Sequence, residues 1–599
     1  MSATKSSAIQ VAGLIFFGIL FYFSWHFYKE RMLAFDGAYS DFLLIMGGKP
    51  FAGIGRYGDW LPLILPWILF KLNMPLSSIV LTHSVSFILI HYLIFLFITL
   101  KLKNYGAGIA VMLVSCLSYY HAFYNPMVEL NESLVAGVLL WAMIHPEVPF
   151  NSPGRIRMNI IGALVVILYI SVLHPLGIFL VGFVLGIEII GERRYRDYSM
   201  WIILIAGLGW MILKHLLFPQ AYDQSRILSF HEMLSHLSEW KTWPSTHFLS
   251  DYTRLHFRSL KWIALFCLLL SLRKGVLLSL FFLLYVVGYA FILIANLQHG
   301  AAAIFYEDYY IEFGFFIGLM LVYLIYKTER KNFVLLLALP LLWMGLKRIY
   351  YAHNLYTDRL SYVDRVVTQA HRDGEKKCLI DSRCYPYDYA LTPWDFAFET
   401  LLYSSLNGPD SSVSVFIKEP DVSRLCDSLQ NAYDIFFGVH YLPISFKPTK
   451  LPAAYFKLPA SGYQYLTHSQ DDSSFHEAIY SEKNIKIAPL AQAIQANSNE
   501  WGFTSIPLEI SNTSGHPIPA IPASKNPVLV SVKLSDERGN TILDFLSTPL
   551  ESDVINKTDC AVTIPLISQK GTYYAKIDII TNGIREWNIP CPLVKVIFN

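Results

Sequence analysis

Long apolar runs separated by short basic segments fill the chain before about residue 350, and short runs of alternating apolar and polar positions dominate its end. A helix needs about 20 apolar residues to cross roughly 30 Å of hydrocarbon. The apolar runs predict spans near 9–28, 79–100, 105–124, 132–146, 158–172, 174–191, 199–217, 260–272, 275–297, 311–326 and 333–348. That makes about eleven, several of them short for a bilayer. Trp60–Leu72 is apolar but interrupted by Pro62 and Pro66, the pattern of an interfacial or re-entrant helix. The first run follows Lys5, is too long for a signal-peptide core, and is followed by Tyr28-Lys29-Glu30-Arg31-Met32 with no small-residue cleavage site. It therefore reads as an uncleaved anchor with a cytoplasmic N-terminus. With that start, Lys101/Lys103, Arg155/Arg157, Arg193/Arg194/Arg196, Arg273/Lys274 and Lys327/Arg330/Lys331 all fall on one side, as the positive-inside rule requires. An odd number of spans puts the tail outside, in a periplasm or lumen.

The tail divides in two. Helix-like Arg359–His371 and Trp394–Leu406 mix with strand-like Cys378–Ile380, Val413–Phe416 and Tyr433–Phe437, predicting a small α/β unit. Beyond it, Pro507–Ile510, Val528–Leu534, Ala561–Pro565, Tyr573–Ile580 and Val594–Phe598 alternate, separated by turn signals such as Glu537-Arg538-Gly539-Asn540. That spacing predicts a β-sandwich. The expected domains are 1–353, a polytopic α-helical membrane bundle; 354–480, an extracytoplasmic α/β segment; and 481–599, the sandwich.

Composition agrees with the hydropathy. Only 15% of residues are charged and 54% are hydrophobic, against about a quarter charged in soluble domains. Lys and Arg (47) nearly balance Asp and Glu (45), so no bulk basicity points to nucleic acid. Five of the seven cysteines (Cys378, Cys384, Cys426, Cys560, Cys591) lie in the tail. An outside location permits disulfides, Cys560 with Cys591 being one pairing; buried small hydrophobes are the alternative.

The stretch after the first span, Met32-Leu-Ala-Phe-Asp36-Gly-Ala-Tyr39-Ser-Asp41, holds the most chemistry. An acid near the outer interface can take a proton from an incoming hydroxyl or position a metal; a helix cap or solvated carboxylate is the plainer reading. Asp41 follows at i+5, a poor same-face spacing. A signal-anchor span, a long first outer loop with an acid near its start in Phe35-Asp36-Gly37, amphipathic segments in that loop, about eleven spans and an outer C-terminal domain together resemble the GT-C class of integral-membrane glycosyltransferases. The resemblance implies transfer of a sugar from a polyprenyl-phosphate carrier to a glycan, lipid or protein acceptor on the non-cytoplasmic side. It makes Asp36 the base and places the protein in a bacterial inner membrane with a periplasmic tail. The tight Asp-x-Asp or Asp-Glu pair common in that class is missing at 36, which leaves a divalent metal open as cofactor. In the tail, Val528–Asn540, Ser547–Leu550 and Gly571–Asp578 resemble an immunoglobulin-like accessory sandwich of bacterial carbohydrate-active proteins, although Gly583-Ile-Arg-Glu-Trp587 departs from its usual ending.

Other outer segments supply candidate binding residues. Arg56 can pair bidentately with a lipid phosphate, or staple to Asp59 in its own loop. Glu129 can assist an acceptor, while Asn131 can instead cap the next helix with Glu132 in its first turn. His174 can donate to a phosphate or simply pack in a helical hairpin. Arg226 lies in the loop 218–259, where His231-Glu232 and His236 miss the HExxH spacing of a zinc protease by one residue. Glu307 and Asp308, set among Tyr306, Tyr309 and Tyr310, suit a sugar pocket, though an interfacial aromatic belt explains the tyrosines equally. No GxxxxGK[ST], GxSxG or CxxC occurs, which argues against an ATP-driven pump and an ordinary serine hydrolase. The rival to a transferase is a non-enzymatic envelope transporter or scaffold whose outer carboxylates are structural.

Overall fold

The computed structural model describes residues 3–50, 58, 60–126, 129–145, 153–218, 240–241, 243–296, 303–326, 331–381, 385, 393–418, 435–437, 444–466, 485–496, 503–513, 528–549, 556–565, 570–581, 585–586, 589 and 591–598. The chain forms two compact units, Met1–Met32 with Leu43–Asn354, and Leu33–Phe42 with Leu355–Asn599. The short stretch carrying Asp36 and Asp41 thus belongs to the unit that contains the tail.

The first unit is helical. In chain order its longer helices and the short α2 are α1 (Ala3–His26), α2 (Tyr28–Met32), α3 (Phe35–Gly47, whose first residues lie in the second unit), α4 (Trp60–Lys71), α5 (Leu76–Leu96), α6 (Tyr105–Val114), α7 (Leu130–Ile144), α8 (Pro153–Leu173), α9 (Gly177–Gly186), α10 (Tyr198–Leu217), α11 (Arg258–Lys274), α12 (Val276–Asn296), α13 (Ala303–Tyr326) and α14 (Lys331–Arg372, which belongs to the second unit from Leu355 on). Among the described residues five stretches are long and apolar enough to cross a membrane: Ala8–His26, Leu76–Lys101, Val276–Ala295, Tyr306–Tyr326 and Val334–Arg372. A sixth arises if Ser245–His256 and Arg258–Lys274, bent by 95°, count as one span. α4, α6, α7, α8, α9 and α10 carry shorter apolar stretches. Several apolar helices of spanning length mark the chain as a membrane protein.

Two elements differ from the hydropathy reading. The expected span 333–348 and the helix expected at Arg359–His371 are one 42-residue helix, α14, because no Gly or Pro occurs between Ile349 and Asp358 to stop it. At about 1.5 Å per residue it runs roughly 60 Å, twice the thickness of the hydrocarbon. Conversely, the span expected at 105–124 is helical only to Val114. Nor does Asn131 cap α7: the helix starts at Leu130 with Glu129 ahead of it in helical conformation, which leaves Asn131 buried inside the first turn.

In the second unit, β1 (Lys377–Asp381), β2 (Ser414–Lys418) and β5 (Gln464–Tyr465) make a parallel sheet ordered β2-β1-β5. β3 (Ile435–Phe437) and β4 (Ile444–Phe446) pair separately. α15 (Phe396–Ser405) is tied to the chain entering β2, with Thr400 Oγ1 accepting from Val415 N at 3.0 Å and Ser404 Oγ from Val413 N at 2.8 Å. The later strands are β6 (Ile485–Pro489), β7 (Ala493–Gln495), β8 (Phe503–Asn512), β9 (Val528–Asp536), β10 (Thr541–Pro549), β11 (Lys557–Pro565), β12 (Gly571–Thr581), β13 (Arg585–Glu586) and β14 (Val594–Phe598). They form a six-stranded sheet on the path β10-β9-β12-β14-β7, with β13 on β12, and a three-stranded sheet β11-β8-β6. Period-two burial puts Val530, Val532 and Leu534 of one sheet and Ile506, Leu508 and Ile510 of the other into one apolar cluster. The β9–β10 turn is closed by Asp536, whose Oδ1 accepts from Arg538 N and Asn540 N at 2.9 and 2.8 Å, with Gly539 at φ +80. Cys560, in mid-strand of the small sheet, and Cys591, just ahead of β14 in the large one, are both free thiols rather than a bridge.

The break after α6 is held by charge. Non-helical backbone in an apolar bundle is tolerated only where protein groups replace the lost hydrogen bonds. Here the Arg348 guanidinium donates to Cys116 O (3.1 Å), Leu117 O (2.5 Å), Tyr119 O (3.0 Å) and His256 O (2.8 Å). Arg31 donates to Phe123 O and to Ser84 Oγ at 2.9 Å. Glu307 accepts from Tyr120 N at 2.7 Å and Ala122 N at 2.9 Å, and Ser118 Oγ donates to Ile311 O at 2.8 Å. Replacing Arg348 by Met strips donors from buried carbonyls, each worth about 1–3 kcal/mol when left unsatisfied. We expect Arg348→Met to destabilise the detergent-solubilised protein by about 3 kcal/mol or more, and Glu307→Gln, which keeps one acceptor oxygen, to cost less. Thermal unfolding of the purified variants checks the order.

Candidate functional site

Asp36 lies in the first turn of α3, where an acidic side chain complements the positive end of the helix. The helix begins in an unusual way. Phe35, fully buried, has φ 52, the left-handed region that costs a residue with a Cβ roughly 1–2 kcal/mol. Its amide donates to Asp395 Oδ2 and, at 3.3 Å, to Glu399 Oε1. Both acids are held by Arg359: Nε lies 2.8 and 3.0 Å from the Glu399 oxygens, and one Nη lies 3.1 Å from each Asp395 oxygen. The guanidinium also stacks over the Phe35 ring, 4.4 Å from its centroid, and Tyr356 meets that ring edge-on at 6.2 Å. Arg359, Asp395 and Glu399 are buried. Burial pushes the Glu399 carboxyl well above its ordinary range; Arg359 opposes this and the neighbouring Asp395 adds to it.

Asp36 itself is half-buried. Tyr39, one turn on and also half-buried, feels its charge: burial first, and Asp36 second, raise the Tyr39 hydroxyl above its usual range. The Tyr39 ring lies edge-on to Trp394 at 5.9 Å and to Phe398 at 5.3 Å, and Trp394 is half-buried too. An acid one turn from a partly open tyrosine, whose ring meets a partly open tryptophan, can take a hydroxyl proton while the rings carry the apolar face of a sugar. Asp41 is fully buried and so faces away from this patch, as its i+5 spacing implied. The helix is seated by Phe42, which packs on Phe398 (5.0 Å), Phe446 (5.3 Å) and Phe456 (5.9 Å).

Four other candidates belong to the helical unit. Glu307 serves the backbone of the break after α6 and accepts from Tyr252 OH at 2.5 Å, while Asp308 accepts from Asn125 Nδ2 at 3.2 Å. Tyr306 and Tyr310 pack on Phe248, 5.4 and 5.8 Å away. These are structural bonds inside the helical unit rather than an open sugar pocket. His174 is buried between α8 and α9, where Nδ1 accepts from Leu176 N at 3.1 Å and shapes the turn. Glu129 is half-buried just before α7, its carbonyl accepting from Ser133 Oγ at 3.2 Å. Arg56, Asp59 and Arg226 fall outside the described residues. No group of three or more His, Cys, Asp or Glu able to hold a metal occurs among the described residues. The residues that sequence reasoning missed are Arg31, Arg348, Arg359, Asp395 and Glu399. Arg359 stands 36 positions from Asp395 and 40 from Glu399, so no local motif joins them. An Asp and a Glu at i, i+4 beside Trp394 were the only visible signal.

No family model, curated protein or solved structure matches the chain, so its function is argued from its own geometry.

The raised Glu399 carboxyl has a pH consequence. Below an ordinary carboxyl value of 4.5 the group holds its proton in folded and unfolded chains alike. As pH rises through that value, the unfolded chain releases the proton and the folded chain keeps it. Stability then falls with pH until the folded group also ionises. Glu399→Gln is therefore expected to flatten the decline in unfolding temperature between about pH 4 and pH 8; an unchanged slope would put the proton elsewhere.

Proposed function

We propose that the protein is an integral-membrane glycosyltransferase of the GT-C type, moving a sugar from a polyprenyl-phosphate carrier to an extracytoplasmic acceptor. The observation that carries this reading is Asp36: an acid in the first turn of a helix seated by Phe42, partly open, with Tyr39 one turn on and Trp394 against the Tyr39 ring. In the proposed step the Asp36 carboxylate takes the proton of an acceptor hydroxyl. The freed oxygen attacks the anomeric carbon, the bond from that carbon to the phosphate oxygen breaks, and polyprenyl phosphate leaves with the electron pair. Displacement in one step inverts the anomeric centre. Arg56, or an arginine of the loop 218–259 such as Arg226, would hold the phosphate, by the match of guanidinium to its oxygens. The reading includes about eleven spans, a cytoplasmic N-terminus in a bacterial inner membrane, and a periplasmic tail whose sandwich holds an acceptor or a partner.

One observation favours the alternative of a transporter. Glu312 is fully buried in the candidate span Tyr306–Tyr326, and intramembrane carboxylates commonly mark ion or proton routes.

The deciding measurement is release of free polyprenyl phosphate from a panel of polyprenyl-phosphate sugars, by purified protein with native membrane extract. Asp36→Asn is expected to lower wild-type turnover by about 10²-fold or more with the fold intact. Turnover that survives the mutation moves the base to another carboxylate, and no turnover with any donor favours the transporter or scaffold.

A further inference from the structure

Of the four non-glycine residues with positive φ among those described, Asn73, Lys103 and Arg193 are exposed, and Phe35 alone is buried. An exposed left-handed residue at a turn can relax; a buried one persists only when its surroundings hold it there. At Phe35 the holding groups are two carboxylates aimed at one backbone amide, both fixed by Arg359. Burying an arginine with two acids is a poor way to gain stability, since desolvation offsets most of their attraction, but it is an effective way to enforce one geometry. The same short turn does two things. Asp395 and Glu399 grip the residue before Asp36, while Trp394 and Phe398 contact Tyr39, one turn after it.

Resting on the reading of Asp36 as base, we infer that Arg359, Asp395 and Glu399 are positioning residues for Asp36. They hold Phe35 in the left-handed conformation and so set the direction in which the first turn of α3 presents the Asp36 carboxylate. None of the three touches the reacting atoms. Their effect is on orientation, where a displacement of about 1 Å can cost 10²-fold in rate. Their loss therefore lowers turnover while leaving the affinity for the lipid-linked sugar in place.

The test uses the full chain in detergent, with Asp395→Asn and Asp395→Ala beside wild type. Two quantities are read: amide hydrogen exchange of the segment 33–42, and release of polyprenyl phosphate with kcat and KM separated. Exchange of that segment is expected to quicken about tenfold or more in Asp395→Ala, and by less in Asp395→Asn, which keeps an acceptor for the Phe35 amide. In step with it kcat falls about tenfold or more, with KM for the polyprenyl-phosphate sugar unchanged. Unaltered exchange in a folded variant overturns the inference, and so does quickened exchange with unaltered kcat. Should Asp395→Ala fail to fold, Asp395→Asn alone decides. A wild type that releases no polyprenyl phosphate removes the glycosyl-transfer reading and the positioning role with it, whereas a failure confined to the variants' exchange leaves that reading standing.

Discussion

A backbone amide or carbonyl buried away from water must find a partner, and this protein meets that constraint with buried charges as well as with helices and sheets. In the helical unit the chain leaves the helix after Val114 and does not resume one of any length until Leu130. Arg31, Arg348 and Glu307 reach in from three other helices to serve the carbonyls and amides so exposed. Hydrogen bonds to ionised groups are stronger than neutral ones, so a few long side chains replace what a helix would have supplied along its own axis. α13 and α14 are thereby tied to the segment that follows α6, and the irregular stretch becomes a junction for the unit.

The second unit repeats the device on a smaller scale. Arg359 binds both Asp395 and Glu399, each of which also accepts from the Phe35 amide. Packing does the rest: Phe42, Phe398, Phe446 and Phe456 seat the beginning of α3. Asp36 is the polar group left partly open on this platform. Phe35 and Asp41, on either side of the half-buried Asp36, are themselves buried, which is the combination of firm support and access that the proposed base requires. Glu307, of comparable promise in the sequence, is spent on backbone instead. An acidic side chain is thus left partly open in one place and bound to backbone in another, depending on whether backbone donors reach it.

Hydropathy located an apolar helix under most of the expected runs, but among the described residues only five, or six with the bent pair, are long and apolar enough to cross a membrane, and it did not mark α3 as a helix at all. Alternation located β8, β9, β11, β12 and β14, since period-two burial is a local property of an extended chain, but it did not mark β6, β7, β10 or β13. What escaped was whatever depends on distant partners. The end of α6 at Val114 follows from the arrival of Arg348, more than 200 positions on. Phe35 takes a left-handed turn because Asp395, 360 positions away, binds its amide. That Asp36, Tyr39 and Trp394 share one patch while Asp41, Glu307 and His174 are bound into structure could not be seen in the order of residues. A side chain's chemistry is written in its type, but its accessibility and partners come from which distant groups the fold brings within hydrogen-bonding reach.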